Sequence, residues 1–330
     1  MPERSAQIEV LSRGQRNDQG IRFLTRVGIV LIGCALCLGF TPAAAQAAPS
    51  SNTVLVGVYV LNVGEIDLRT GSYTMDFYLS MRCPTVSCNF GSFEFMNGRA
   101  TSIRLEENTT TEKFWRIQGS FYENLDLHKY PFDSHTLSIE VEDQLLTTQY
   151  LNYEPDPTYS GIDPSIVIVG WSVSGWSQSV VGHYYQVYNQ SYSRYIFSLT
   201  LDREPTSAFA IFIPVLLLTF IALMATLMYG EASSVFENRI LLSSSLLIAA
   251  VLFQFSLDSS LPPLGYLTFA DWFMIATYFI MAAGLISGIL VLNYHHRRDT
   301  VKLKKIHYYS TRILPLAAVV LYLLVFLLLA

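Results

Sequence analysis

The chain has 330 residues, 51% of them hydrophobic and only 14% charged, with a formal net charge of −5 and a mean hydropathy of +0.35. Soluble domains carry about 25% charged residues, so the composition excludes an ordinary soluble enzyme, and the acidic balance argues against a nucleic-acid partner. Charge is also unevenly spread: residues 48–205 hold 18 acidic and 9 basic side chains, whereas residues 206–330 hold 5 and 7.

Residues 1–47 read as a secretory signal peptide. Arg22 and Arg26 precede the apolar run 27–40, and the small residues Thr-Pro-Ala-Ala-Ala-Gln-Ala-Ala that follow suit signal peptidase. The alternative is a first transmembrane helix, but the run is about 14 residues long against the roughly 20 needed to span a bilayer. Cys34 and Cys37 leave with the signal, and Cys83 and Cys88 remain. Their spacing, with no further Cys or His nearby, does not suit a zinc or dithiol redox motif. In an exported chain they read as a disulfide closing a short loop, with a pair of free thiols as the alternative.

Residues 48–205 follow a period of two. Tyr73, Met75, Phe77, Leu79 and Met81 alternate with polar neighbours, as do Leu137, Ile139 and Val141, and Tyr195, Phe197, Leu199 and Leu201. Such alternation marks half-buried strands. Turn signals separate them, at Arg69-Thr70-Gly71, Met96-Asn97-Gly98 and Pro155-Asp156-Pro157. With no amphipathic helical stretch between, the segment predicts an all-β sandwich on the extracellular side.

After Pro205 the texture changes. Four apolar segments predict helices over about 207–229, 238–257, 266–293 and 309–330, each long enough for a hydrocarbon core of about 30 Å. The connection before the fourth holds Arg297, Arg298, Lys302, Lys304, Lys305 and Arg312 against Asp299 alone. Basic loops stay cytoplasmic, which puts the β domain and the connection at 258–265 outside. Catalytic signatures are absent: no Gly-rich phosphate loop, no Gly-x-Ser-x-Gly and no His-Glu-x-x-His. No enzyme, metal or cofactor is therefore expected. His128, His135 and His183 read as surface or strand residues.

The second apolar segment carries a pattern of its own. Glu237, Leu241, Ser245, Ile248, Leu252 and Phe255 are spaced 4, 4, 3, 4 and 3 residues apart. At 100° per residue they fall within about 80° of arc. The stripe runs from a carboxylate through a small polar residue to three bulky apolar ones, and Asp258 lies just past its outer end. Several copies turning it inward would enclose a pore with carboxylates at one mouth and apolar rings able to gate by dewetting. The alternative is a lipid-facing helix with chance spacing.

Two tracts resemble a known family. One is Asn124-Leu-Asp-Leu-His-Lys-Tyr-Pro-Phe-Asp-Ser-His-Thr-Leu137, followed by a strand. The other runs from Pro214 to Pro262: a proline in the first span, a connection ending in Glu-Asn-Arg, a second span, then Leu-Pro. Both are similar to the pentameric ligand-gated ion channels, in particular their prokaryotic members, which lack the loop cysteines. The resemblance covers roughly residues 52–330. It implies an extracellular β-sandwich above four helices, five copies around a pore lined by the second helix. It also implies a coupling role for the loop Tyr130, Pro131, Phe132 and Asp133, paired with Arg203 and facing Leu261 and Pro262. The sequence departs from the family in a short β domain and in having Arg82 and Cys83 where a tryptophan is expected. Tyr184, Tyr185, Tyr188 and Tyr192 sit in the hairpin that would cap a ligand site. Aromatic faces attract ammonium groups, which suggests an amine agonist; the histidines of an acidic domain suggest a proton instead.

The resulting expectation is a homopentameric, multi-pass channel of a bacterial inner membrane, gated by an unknown small agonist, an amine or a proton. The acidic mouths predict selectivity for monovalent cations. The alternatives are a non-conducting membrane receptor and a membrane-anchored periplasmic enzyme.

Overall fold

The computed structural model describes residues 52–84 and 88–329; the predicted signal peptide, with Cys34 and Cys37, lies outside them. Ten strands come first: β1 (Asn52–Asp67), β2 (Ser72–Arg82), β3 (Phe93–Phe95), β4 (Gly98–Asn108), β5 (Glu112–Tyr122), β6 (Ser134–Asp143), β7 (Leu151–Pro155), β8 (Gly161–Ile162), β9 (Trp171–Tyr185) and β10 (Gln190–Arg203). They form two sheets. One has the order β4-β5-β2-β1-β7, with β8 beside β1; the other has the order β3-β6-β10-β9.

The alternation read from the sequence is what packs them. Phe77 and Leu79 of β2, Leu137 and Ile139 of β6, and Phe197 and Leu199 of β10 all meet in one buried core. The Tyr73 hydroxyl stitches the two sheets across it, donating to the Ser138 carbonyl at 2.7 Å and accepting the Ser138 N–H at 3.0 Å. The β1–β2 turn closes on Gly71, at φ +70°; a Cβ there would stand 2.3 Å from the Glu123 carbonyl oxygen. A disulfide joins Cys83 to Cys88 at the end of β2.

Four helices follow: α1 (Pro205–Ala225), α2 (Ser233–Asp258), α3 (Phe269–His296) and α4 (Thr300–Leu329). Each is long and apolar enough to cross a bilayer. α1 opens on Pro205, where the missing N–H costs nothing. α3 opens on a capping box in which Thr268 and Asp271 exchange hydrogen bonds.

The helix ends differ from the apolar segments. α1 stops at Ala225 rather than 229, α2 begins at Ser233 rather than 238, and α4 begins at Thr300 rather than 309. The connection between α3 and α4 therefore shrinks to Arg297, Arg298 and Asp299, and Lys302, Lys304, Lys305 and Arg312 become helical. For the early starts of α2 and α4 the reason is that hydropathy measures the length in lipid, whereas backbone hydrogen bonding continues beyond it; α1 instead ends in turns at Thr226 and Leu227, whose N–H groups donate to the carbonyls of Leu223 and Met224. Arg298, at φ 57°, reverses the chain, and the Asp299 carboxylate accepts the Lys302 N–H at 3.1 Å to start α4.

Candidate functional site

The loop from β5 to β6 leaves the sandwich and enters the helices. The Phe132 ring lies 5.3 Å from the rings of Phe209 and Phe269, 5.4 Å from Phe326 and 6.0 Å from Phe212. The first N–H groups of a helix have no partner within it. Here those of Phe269 and Ala270 donate to the carbonyls of His128 at 2.9 Å and Tyr130 at 3.1 Å. The His128 ring stacks on Tyr266 at 3.6 Å, and the Tyr266 hydroxyl accepts the Leu127 N–H at 3.1 Å. Leu127 and Tyr130 are buried with Leu261 in the core of the helical layer, and Pro131 is buried as well. Pro262 borders a groove of about 560 Å³ shared with Arg69 of the β1–β2 turn.

Asp133 ends that loop and Arg203 ends β10. The guanidinium clasps the carboxylate through Nε to Oδ1 at 2.6 Å and Nη2 to Oδ2 at 3.0 Å. The backbone repeats the link, Arg203 N–H donating to the Asp133 carbonyl at 3.1 Å. His135 Nε2 lies 2.6 Å from Asp133 Oδ2. Burial by itself would push the carboxyl up. The hydrogen bonds from His135 and Arg203, with their charges, outweigh it and hold the Asp133 pKa at about 2. The Arg203 guanidinium also faces the rings of Trp171 at 4.2 Å and Tyr130 at 5.2 Å.

His135 and Trp171 belong to this cluster, and the sequence reading assigns neither to it. His135 is 5% exposed, a strand residue but not a surface one. The available signal was its spacing: residues two apart in a strand share a face, so His135 follows Asp133 inward.

Along α2 the six stripe residues lie on the side away from the protein's own core. Leu241, Ile248, Leu252 and Phe255 are 62–76% exposed, and Glu237 and Ser245 are exposed as well. The buried residues of α2 are Phe236, Arg239, Ser243, Leu246 and Ala250. At 100° per residue the two sets point about 170° apart. Asp258 is the last residue of α2 and is exposed. Arg239 turns inward, to the neighbouring helices of the same chain.

The tyrosines of the β9–β10 hairpin divide. Tyr185, Tyr188 and Tyr192 meet around a pocket of about 260 Å³ with Glu94, Glu142 and Asp143. The Tyr185 and Tyr192 rings are 5.6 Å apart, nearly edge to face. The Tyr185 hydroxyl donates to Glu142 at 2.9 Å, and burial together with that carboxylate pushes the phenol up. Arg194 also holds Glu142, at 2.5 Å. Tyr184 is not part of the group: strand alternation turns it to the other face, where its hydroxyl donates to Asn189 at 2.8 Å.

No family model matches the chain. It is 25% identical to a protein of Gloeobacter violaceus named a proton-gated ion channel, over 183 residues that cover 54% of this chain and 50% of that one. It is 24% identical to a gamma-aminobutyric acid receptor subunit beta-like protein of Drosophila melanogaster, over 189 residues that cover 55% of this chain and 36% of the relative. The matched region thus spans half or less of these curated relatives. One is named an ion channel and the other a receptor subunit, and a β-sandwich followed by four helices long and apolar enough to cross a membrane is the architecture that the resemblance implied. These likenesses support the resemblance of this chain, a multi-pass membrane protein, to the pentameric ligand-gated ion channels.

Proposed function

We propose that the chain is the subunit of a ligand- or proton-gated, cation-selective ion channel, a homopentamer with α2 lining the pore. The observation that carries the reading is the division of α2. Phe236, Arg239, Ser243, Leu246 and Ala250 pack within the subunit, and the stripe from Glu237 to Phe255 is exposed on the opposite side. Charge favours cations: Glu237 sits at one end of the stripe, Asp258 just past the other, and residues 48–205 carry a twofold excess of acidic side chains. The basic residues near the α3–α4 connection favour a cytoplasmic position for it. The sandwich is then periplasmic, in a bacterial inner membrane.

Coupling runs through the loop at Tyr130 to Asp133. Phe132 is embedded among phenylalanines of α1, α3 and α4, and Arg203 joins Asp133 directly before α1. A movement of the sandwich is thereby passed to the helices through packed side chains rather than through solvent. For the agonist, the pocket of Tyr185, Tyr188 and Tyr192 favours a small amine, which would meet aromatic faces and the Glu94 carboxylate. A relative named a gamma-aminobutyric acid receptor subunit agrees with an amino compound. A proton is the second reading, favoured by a relative named a proton-gated channel and by the histidines held on carboxylates at Asp126 and Asp133.

The test is a current recording from the purified chain in liposomes, with an amine series and a pH series. Cation current evoked by either supports the reading. No current under any condition, with the protein correctly inserted, would leave a non-conducting receptor. A reversal potential near the chloride equilibrium potential would overturn the selectivity.

A further inference from the structure

Arg239 carries a charge into the interior of the helical layer, near the N-terminal end of α2. It is 0% exposed, and among the described residues no carboxylate lies within ion-pair distance of it. Its hydrogen bonds go to the other three helices instead. Nη1 donates to the carbonyl of Thr226, the C-cap of α1, at 3.1 Å. Nη2 donates to Ser287 Oγ of α3 at 2.6 Å and to Ser310 Oγ of α4 at 3.3 Å. A cation at the C-terminal end of α1 also answers the negative pole of that helix.

The surroundings are shaped to admit this side chain. A Cβ on Gly288 would come within 3.2 Å of Ile240 and 3.6 Å of Arg239 Nε, so α3 is bare where α2 approaches. Nε itself finds no partner, an arrangement kept at a cost to that atom. In lipid a helix has little hydrophobic reason to prefer one rotation over another, and polar contacts between helices decide it. Glu237 precedes Arg239 by two residues and points about 160° from it. Whatever fixes Arg239 therefore also fixes where Glu237 points.

We propose that Arg239 is a positioning residue for ion selectivity: by tying the end of α2 to α1, α3 and α4 it aims Glu237 at the conduction pathway. The proposal rests on the pore reading of α2. Selectivity then depends on a side chain that never faces the ions.

The experiment uses the full chain in oocytes or liposomes, with the reversal potential measured in a salt gradient. The variants are Glu237→Ala, Arg239→Gln and the two combined. Arg239→Gln should shift the reversal potential toward the chloride equilibrium value, as Glu237→Ala does. Adding Glu237→Ala to it should then produce little further shift, because coupled residues are non-additive. Should Arg239→Gln fail to reach the membrane, the pair Ser287→Ala with Ser310→Ala keeps the charge and releases two of the three helices; it should give the same shift. A parental reversal potential in Arg239→Gln or in the serine pair, alongside a shift in Glu237→Ala, overturns the positioning role. If no Arg239 or serine variant assembles, the residue serves assembly alone and the proposal also fails. If Glu237→Ala itself shifts nothing, the pore reading has failed first, and the two failures are told apart by that variant.

Discussion

Asp133→Asn removes one charge from the cluster where the sandwich meets the helices. The carboxylate is 3% exposed, accepts two bonds from Arg203 and contacts His135. Breaking a buried pair on one side costs about 3–5 kcal/mol, because the remaining charge stays buried without its partner. The pKa gives a second measure. A fall from 3.8 to about 2 corresponds to about 2–3 kcal/mol held in the ionised form, at about 1.4 kcal/mol per unit. That is a lower figure, since the asparagine also leaves the Arg203 charge uncompensated. The sign follows from the direction of the shift. The folded carboxyl is the stronger acid, so its contribution is present above pH 3.8 and is lost as the pH falls through about 2. Asp133 is thus ionised across roughly pH 5–8, the usual range of maximal stability, and any acid gating in that range starts at another group. The assay is thermal unfolding of the detergent-solubilised protein, read by the fluorescence of Trp171 and its fellow tryptophans, with current recordings beside it. Asp133→Asn should lower the midpoint and impair gating; the exchange Asp133→Arg with Arg203→Asp should recover part of both. A parental midpoint and a parental dose–response in Asp133→Asn would refute the reasoning.

Phe132→Ala leaves a void among four phenylalanine rings; a loss of about 3–5 kcal/mol should appear as a lower unfolding midpoint and weaker agonist response. Ile248→Ser places a hydroxyl in the apolar part of the stripe, which should raise basal current or agonist sensitivity; an unchanged current at normal surface expression counts against a gate there. Tyr188→Ala should weaken amine potency without changing the reversal potential, whereas Tyr184→Ala, on the opposite strand face, should leave potency alone. Equal effects of the two would sink the pocket assignment.

The strands were legible because one physical rule governs them. Tyr73 to Met81, Leu137 to Val141 and Tyr195 to Leu201 alternate in sequence and fill one core in space. The existence of the four spans was legible for a similar reason, but their ends were not. The basic start of α4 has no apolar periodicity, and only the left-handed turn at Arg298 and the cap at Asp299 reveal that the helix begins there. Within the site, the Asp133–Arg203 pair came from the family motif, and its third member, His135, was visible only through its spacing. The split of Tyr184 from Tyr185 follows from strand alternation and could have been read directly. The partners of Arg239 could not: Ser287 and Ser310 are small polar residues in long apolar helices, and nothing in their own neighbourhoods announces which guanidinium they receive.

The seating of the β5–β6 loop has a practical consequence. Leu127 and Tyr130 belong to the sandwich by sequence but are buried in the core of the helices. A fragment ending at Pro205 would carry both, with Phe132, into water, and the helices left without it would lose the two carbonyls that satisfy the N-terminus of α3. The boundary of charge and hydropathy at Pro205 is therefore not a boundary of cooperativity. The two layers should melt together, and a soluble form of the sandwich requires the loop tip to be replaced by polar residues before it is cut free.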